Sequence, residues 1–99
     1  MNRPEGEQLL PGEELVSEGL SDLAHDRVSD ASLLVLIAAP RLRRLGIEVP
    51  PRRGSEPCEH QLYDRLEKRL GLAAHSYYNS LIRRIVSYAR ALEREKSQE

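Results

Sequence analysis

The C-terminal part of the chain constrains the fold most, because its apolar residues recur with the spacing of one long helix. From residue 73 to residue 94 this segment predicts a helix of about 33 Å, at 1.5 Å per residue. One apolar stripe steps by 3, 4, 3 and 4 positions, through Tyr78, Leu81, Ile85, Tyr88 and Leu92. A second stripe comprises Tyr77, Ile82, Val86 and Ala89.

A helix with two apolar stripes needs neighbours on two sides, and a chain of 99 residues has few other helices to supply them. We therefore predict that the protein is a homodimer or docks on another protein through this helix. In a packing role, Leu81 and Ile85 lie either in the core of the chain or in the dimer seam. The predicted dimer or partner face comprises Tyr77, Leu81, Ile85, Tyr88 and Leu92.

Two earlier segments also predict helices. The first extends from about residue 12 to residue 24, where Val16, Leu20 and Leu23 have helical spacing. The second extends from near residue 31 to about residue 45, with Ser29 or Asp30 as its N-cap. Because a proline lacks the backbone donor and clashes with the preceding turn, Pro40 predicts a bend or break in this second helix.

A third helix is predicted after the proline-rich segment of residues 47–57. Ser55 is a suitable N-cap, Pro57 suits the first helical turn, and Gly71 is a suitable stop. The long helix described above follows directly. We thus expect an arm at residues 1–11, one helical domain at residues 12–95 and a frayed tail at residues 96–99.

The composition supports this fold class. The chain contains no Phe and no Trp, and its apolar residues are mostly Leu, Ala, Ile and Val. No window alternates apolar and polar residues in the manner of a half-buried strand. The sequence predicts an all-α domain, a small four-helix bundle-like fold with a bent second helix and a long C-terminal helix.

The charges are unevenly distributed along the chain. Residues 1–30 carry eight acids and two bases, whereas residues 31–99 carry thirteen bases and eight acids. The two parts either neutralise each other within the fold or leave a basic surface for an anionic partner. The candidate surface for RNA, DNA or an acidic protein comprises Arg41, Arg43, Arg44, Arg52, Arg53, Arg83 and Arg84.

The stretch "YDRLEKRLGLAAHSYYNSLI" resembles the helix-turn-helix of DNA-binding proteins. With Gly71 in the turn, Leu66, Leu70 and Leu72 fall where such motifs have apolar anchors. The resemblance implies a DNA-binding protein whose second helix presents side chains to base edges, with Arg83 and neighbouring arginines on phosphates. This is the alternative to an ordinary packing helix.

A second resemblance concerns catalysis. The stretch "RLGLAAH" is similar to the Arg-and-His spacing of HEPN ribonuclease domains, which implies His75 as an acid–base group beside Arg69. A structural or capping role for His75 is the competing interpretation. Cys58 and His60 form one Cys-x-His pair, but a zinc site usually has two such pairs.

Other chemistry has little support in the sequence. Glycine-rich phosphate loops and Ser-His-Asp patterns are missing, so we predict neither an enzyme nor a cofactor. The longest apolar run, Leu33 to Ala39, is far shorter than a membrane span, and the single cysteine fits a reducing compartment. We therefore expect a small cytoplasmic interaction or accessory protein that acts by binding and forms a homodimer.

Overall fold

The computed structural model describes residues 10–51 and 57–97, and all regular structure in these ranges is helical. No strand occurs among the described residues, so the all-α prediction is confirmed. The helices, in chain order, are α1 (Glu13–Ala24), α2 (Asp30–Ile37), α3 (Ala39–Arg44), α4 (Cys58–Leu70) and α5 (Ala74–Ser97), with a 3₁₀ turn (Gly71–Ala73) between the last two.

Helix α2 begins at a capping box, as the sequence predicts for Ser29. The Ser29 hydroxyl accepts a hydrogen bond from the Ser32 amide at 3.0 Å, and the Ser32 hydroxyl accepts one from the Ser29 amide at 2.8 Å. The Ser29 hydroxyl also donates to the Asp22 carboxylate at 2.6 Å. This cap therefore fixes the start of α2 and ties it to the end of α1.

The predicted bend at Pro40 is a complete break. Helix α2 ends at Ile37, Ala38 leaves the helical path, and α3 carries Pro40 in its first turn. In that position the missing amide of proline costs no helical hydrogen bond. The break lets the chain change direction while Ala39 and Leu42 remain buried.

The end of α4 and the length of α5 follow from local signals. Gly71 has a φ of 58°, a left-handed conformation that terminates α4 at Leu70. Helix α5 extends through Ser97, three residues beyond the predicted end, and the Ser97 hydroxyl donates to the Glu93 carbonyl at 2.9 Å. Lys96 and Ser97 were predicted to fray and are helical instead, and the Ser97 hydroxyl also donates to the Arg94 carbonyl of the last turn at 3.2 Å.

Two sequence predictions fall outside the described residues: the arm at residues 1–9 and the tail at residues 98–99. Helix α4 begins at Cys58 with Pro57 as its N-cap, so the predicted N-cap at Ser55 is wrong. Leu10, at the end of the predicted arm, is half-buried and packs against the core. Among the described residues, no helix is both long and apolar enough to cross a bilayer.

Helix α2 is the centre of the fold. It packs against α1, α4 and α5, and its residues 31–35 are all buried. The largest fully buried side chains come from three helices, α2, α3 and α4: Leu34, Leu42, Leu62, Leu66, Val35 and Ser32. Ser32 is the one polar residue in this set. Its hydroxyl is hydrogen-bonded to Ser29 in the capping box, so burial does not leave it without a partner.

Helices α1 and α2 approach each other most closely at Gly19. A Cβ atom at this position would lie 2.5 Å from the Ala31 carbonyl oxygen and 2.5 Å from the Val35 Cγ2 atom. Side chains do not come this close, so only glycine fits between the two helices here. Gly19 therefore sets the separation of α1 and α2.

Candidate interaction surfaces

The predicted arginine cluster is partly used within the fold. Arg41 donates to the Glu93 carboxylate at 2.7 and 2.9 Å, and Arg43 donates to the Val49 carbonyl at 3.0 Å. These contacts tie α3 to α5 and to the loop that follows α3. Arg44 is exposed. Arg83 and Arg84 are exposed on α5, and Arg52 and Arg53 lie outside the described residues, so the seven arginines are not assembled as one free surface in the described part of the chain.

The predicted partner face on α5 is divided by the fold. Leu81, Ile85 and Tyr88 belong to the core of the chain itself, with exposed fractions of 2, 3 and 6%. Leu92 is half-buried against that core, and Tyr77 is exposed. As a surface for a partner, the face is corrected to Tyr77 and the edge of Leu92, because α1, α2 and α4 already cover the other three residues.

Arg84 lies beside a groove of balanced charge between α1, α4 and α5. A cavity of about 420 Å³ opens here, and Asp30 at the start of α2 lies in its wall. The Asp30 carboxylate accepts hydrogen bonds from Arg65 at 3.1 Å and from Arg69 at 2.6 Å. The charged residues that line the groove are three acids and three bases: Glu14, Glu18, Asp30, Arg65, Arg69 and Arg84.

The geometry departs from the helix-turn-helix resemblance at the turn. Of the three expected apolar anchors, Leu66 is fully buried, whereas Leu70 is 39% exposed and Leu72 is completely exposed. In such motifs the anchors hold the two helices together. The α4–α5 turn therefore lacks two of the contacts that the resemblance implies.

The Arg69 and His75 side chains engage different partners. Arg69 binds Asp30, whereas His75 Nε2 lies 3.2 Å from the Asn79 side-chain nitrogen and its ring packs edge-on against Tyr63. The 3₁₀ turn separates the two residues along the chain. Their arrangement supports a structural role for His75 in the α4–α5 junction.

Cys58 and His25 each lie at the end of a helix. The Cys58 thiol is buried at the start of α4, and no group of three potential ligands lies together among the described residues. His25 donates through its Nδ1 to the Ser21 carbonyl at 2.8 Å, at the C-terminal end of α1. This carbonyl also accepts a hydrogen bond from the His25 amide, so the ring adds a second donor to the end of the helix.

Exposed apolar side chains concentrate at the α4–α5 turn. Leu70, Leu72, Ala73 and Tyr77, which we call the apolar corner, lie within eight consecutive residues, and all four are exposed. The sequence did not indicate this surface, because Leu70 and Leu72 fall where a helix-turn-helix has its interior anchors. Gly71, which separates the leucines in a turn, is the signal that they need not share one buried face.

Tyr78, next to the apolar corner, is half-buried between α4 and α5. Its ring packs edge-on against Tyr63, with a centroid distance of 5.5 Å. Burial, and secondarily the negative charge of Glu59, raises the pKa of Tyr78 above its usual value. The phenol of Tyr78 is thus harder to ionise in the folded chain than in the unfolded chain.

We expect the wild-type protein to lose stability above about pH 10 more steeply than the Tyr78→Phe variant. Because the pKa of Tyr78 is higher in the folded chain than in the unfolded chain, its neutral phenol contributes to the stability of the fold. This contribution is fully present below the unfolded pKa and is lost as the pH rises through the folded pKa. Urea denaturation at a series of alkaline pH values measures this difference. The control is Tyr77→Phe, because Tyr77 is exposed. A Tyr78→Phe difference that is independent of pH would contradict the assignment.

Comparison with known proteins adds no family to these observations. No family model, curated protein or solved structure is significantly similar to the chain.

Proposed function

We propose that the protein is a small cytoplasmic interaction or accessory module, a four-helix bundle-like domain that acts by binding. The apolar corner is the docking surface, and a second copy of the chain is its first candidate partner. The observation that carries this proposal is the exposure of Leu72, whose side chain is not packed in the core of its own chain. Contiguous exposed apolar residues in a soluble domain are typical of interaction sites.

The residues around the apolar corner have the composition of a protein interface. Tyr77 supplies an aromatic side chain, and Arg69 and Arg84 lie with it along the wall of the charged groove. Aromatic and arginine residues are enriched in interfaces, with apolar residues at the centre and polar residues at the rim. The corner and the groove together therefore offer an apolar centre with a charged rim.

The balanced charges of the groove favour a second copy as the partner. A two-fold symmetric interface places the same patch on both subunits, so the patch must be complementary to itself. The groove beside Tyr77 carries Glu14 and Glu18 as well as Arg69 and Arg84. Each acid of one copy can thus meet a base of the other.

The test is the association state of Leu72→Ser. Loss of a central apolar contact is expected to weaken the dimer at least about thirty-fold, the equivalent of about 2 kcal/mol. Sedimentation velocity over a range of protein concentrations measures the dissociation constant. Measured at a protein concentration at which both proteins are monomeric, the thermal midpoint should stay near that of the wild type, because Leu72 is fully exposed in the single chain and only the dimer adds stability.

The matched control is Val28→Ser. Val28 is also a large exposed apolar residue, with 65% of its surface accessible, but it lies between α1 and α2. The Val28→Ser variant should leave the dissociation constant of the dimer unchanged. If the wild type is a monomer at every concentration, self-association is excluded, and cross-linking in lysate should then identify a different protein whose capture requires Leu72. Equal effects of the two serine variants would reject the apolar corner.

A further inference from the structure

One side of α5 is exposed along its length, and its only charged residues are arginines. At 100° per residue, Arg90 and Arg94 lie within about 20° of Arg83 around the helix axis, and Asn79 and Ser87 lie within about 40°. These five residues, which we call the arginine face, are all exposed. The buried side of α5, with its core residues, lies opposite.

No acid among the described residues forms an ion pair with this face. The two carboxylates of α5, Glu93 and Glu95, lie about 80° and 120° from Arg83 around the axis, and Glu93 is bound by Arg41. Among the described residues, none forms an ion pair with Arg83, Arg90 or Arg94. This contrasts with the paired arginines of α3 and α4.

The arrangement is unfavourable for the fold itself. Arg90 and Arg94 are four residues apart, and like charges at this spacing repel each other on a helix surface. Among the described residues, no ion pair of Arg90 or Arg94 offsets this repulsion. An anionic ligand would offset it, and the guanidinium group is suited to phosphate because its planar fork can donate two parallel hydrogen bonds.

The rest of the face decides which anionic ligand fits. Its uncharged members, Asn79 and Ser87, are polar, whereas the centre of a protein interface is normally apolar. It has no aromatic residue, and binding of single-stranded nucleic acid normally relies on stacking of bases on aromatic rings. A ligand that is recognised only through regularly spaced phosphates needs neither an apolar centre nor aromatic rings on the protein.

We propose that the arginine face binds the phosphate backbone of double-stranded nucleic acid without reading its base sequence. Arg83 and Arg94 are about 17 Å apart along the axis at 1.5 Å per residue. An α-helix also has a diameter that the major groove of DNA admits. The site is distinct from the apolar corner, because Tyr77 lies about 120° away around α5.

Binding of a fluorescein-labelled DNA duplex tests the proposal. A duplex of about 20 base pairs is longer than α5 at 3.4 Å per base pair, and its binding is followed by fluorescence anisotropy at about 50 and 200 mM salt. Three phosphate contacts predict a slope of about −2.7 for log affinity against log salt, so affinity should fall about forty-fold between these salt concentrations. The triple variant Arg83→Gln, Arg90→Gln, Arg94→Gln should lose this salt-dependent binding.

Two further variants separate location from charge. The triple variant Arg27→Gln, Lys68→Gln, Lys96→Gln removes the same charge from other exposed positions and should retain the wild-type slope. Changing Arg83, Arg90 and Arg94 to Lys should also retain the slope, because counterion release depends on charge. Circular dichroism melting curves establish that each variant is folded.

Three results would overturn the proposal. The first is absence of duplex binding by the wild type at the lower salt concentration. The second is an equal loss of binding in both glutamine variants. The third is equally effective competition by polyglutamate or by vesicles with anionic lipids at the same charge concentration, since that would make the face a general anion surface.

Discussion

The Leu81→Ala variant is expected to lower the free energy of unfolding by about 2–5 kcal/mol, because truncation of a buried leucine removes its contacts and leaves a cavity. Leu81 is 2% exposed and belongs to the core that α5 shares with α2 and α4. Denaturation in urea, monitored by the helical circular dichroism signal, measures the change. For a domain of this size, such a loss is a large part of the total stability.

The matched control is Leu72→Ala. It makes the same chemical change nine residues earlier, at a side chain that is fully exposed. Its effect on unfolding should stay within about 0.5 kcal/mol, as for other surface substitutions. Similar losses in the two variants would mean that the long helix is not packed as described. A small loss in both would instead indicate that Leu81 is free for a ligand.

The Gly19→Ala variant is expected to destabilise the fold by about 1–3 kcal/mol or more, through overpacking between α1 and α2. In an isolated helix, alanine is more favourable than glycine by about 0.8–1.0 kcal/mol. Helix propensity alone therefore predicts that Gly19→Ala stabilises the fold. The steric cost outweighs this gain because the added methyl meets the Ala31 carbonyl oxygen, a backbone atom. Chemical denaturation gives the sign directly.

Two companion variants identify the cause. Val35→Ala removes one of the three atoms that the new methyl would meet, but both atoms of the Ala31 carbonyl remain, so it should not rescue Gly19→Ala. Gly71→Ala is a contrast, since a Cβ at Gly71 meets nothing within 4 Å and its cost comes from the left-handed backbone alone. A stabilised Gly19→Ala protein would show that the helices are further apart than described.

The parts of the fold that the sequence predicts are those with local causes. The Ser29 cap, the break near Pro40 and the end of α4 at Gly71 each depend on interactions within a few residues. The extension of α5 to Ser97 was missed, although its cause is also local, because polar C-terminal residues carry no apolar periodicity. The close approach at Gly19 depends on α2 and has no local signal.

The candidate surfaces were less predictable because they depend on contacts between distant residues. The partner of Arg41 is Glu93, fifty-two positions away, so the sequence cannot indicate that this arginine is used inside the fold. The apolar stripe of α5 correctly identified Leu81 and Ile85 as packing residues. It did not indicate whether the chain itself or a partner covers them, since both give the same periodicity.

The central position of α2 limits how the protein can open. A helix at the edge of a domain can detach while the rest remains folded, and such local opening costs less than complete unfolding. Helix α2 contacts α1, α4 and α5, and five consecutive residues of it are buried. Its release would expose the inner surfaces of three other helices at once. Opening of α2 and unfolding of the whole domain are therefore the same event, and partial opening is confined to the outer helices.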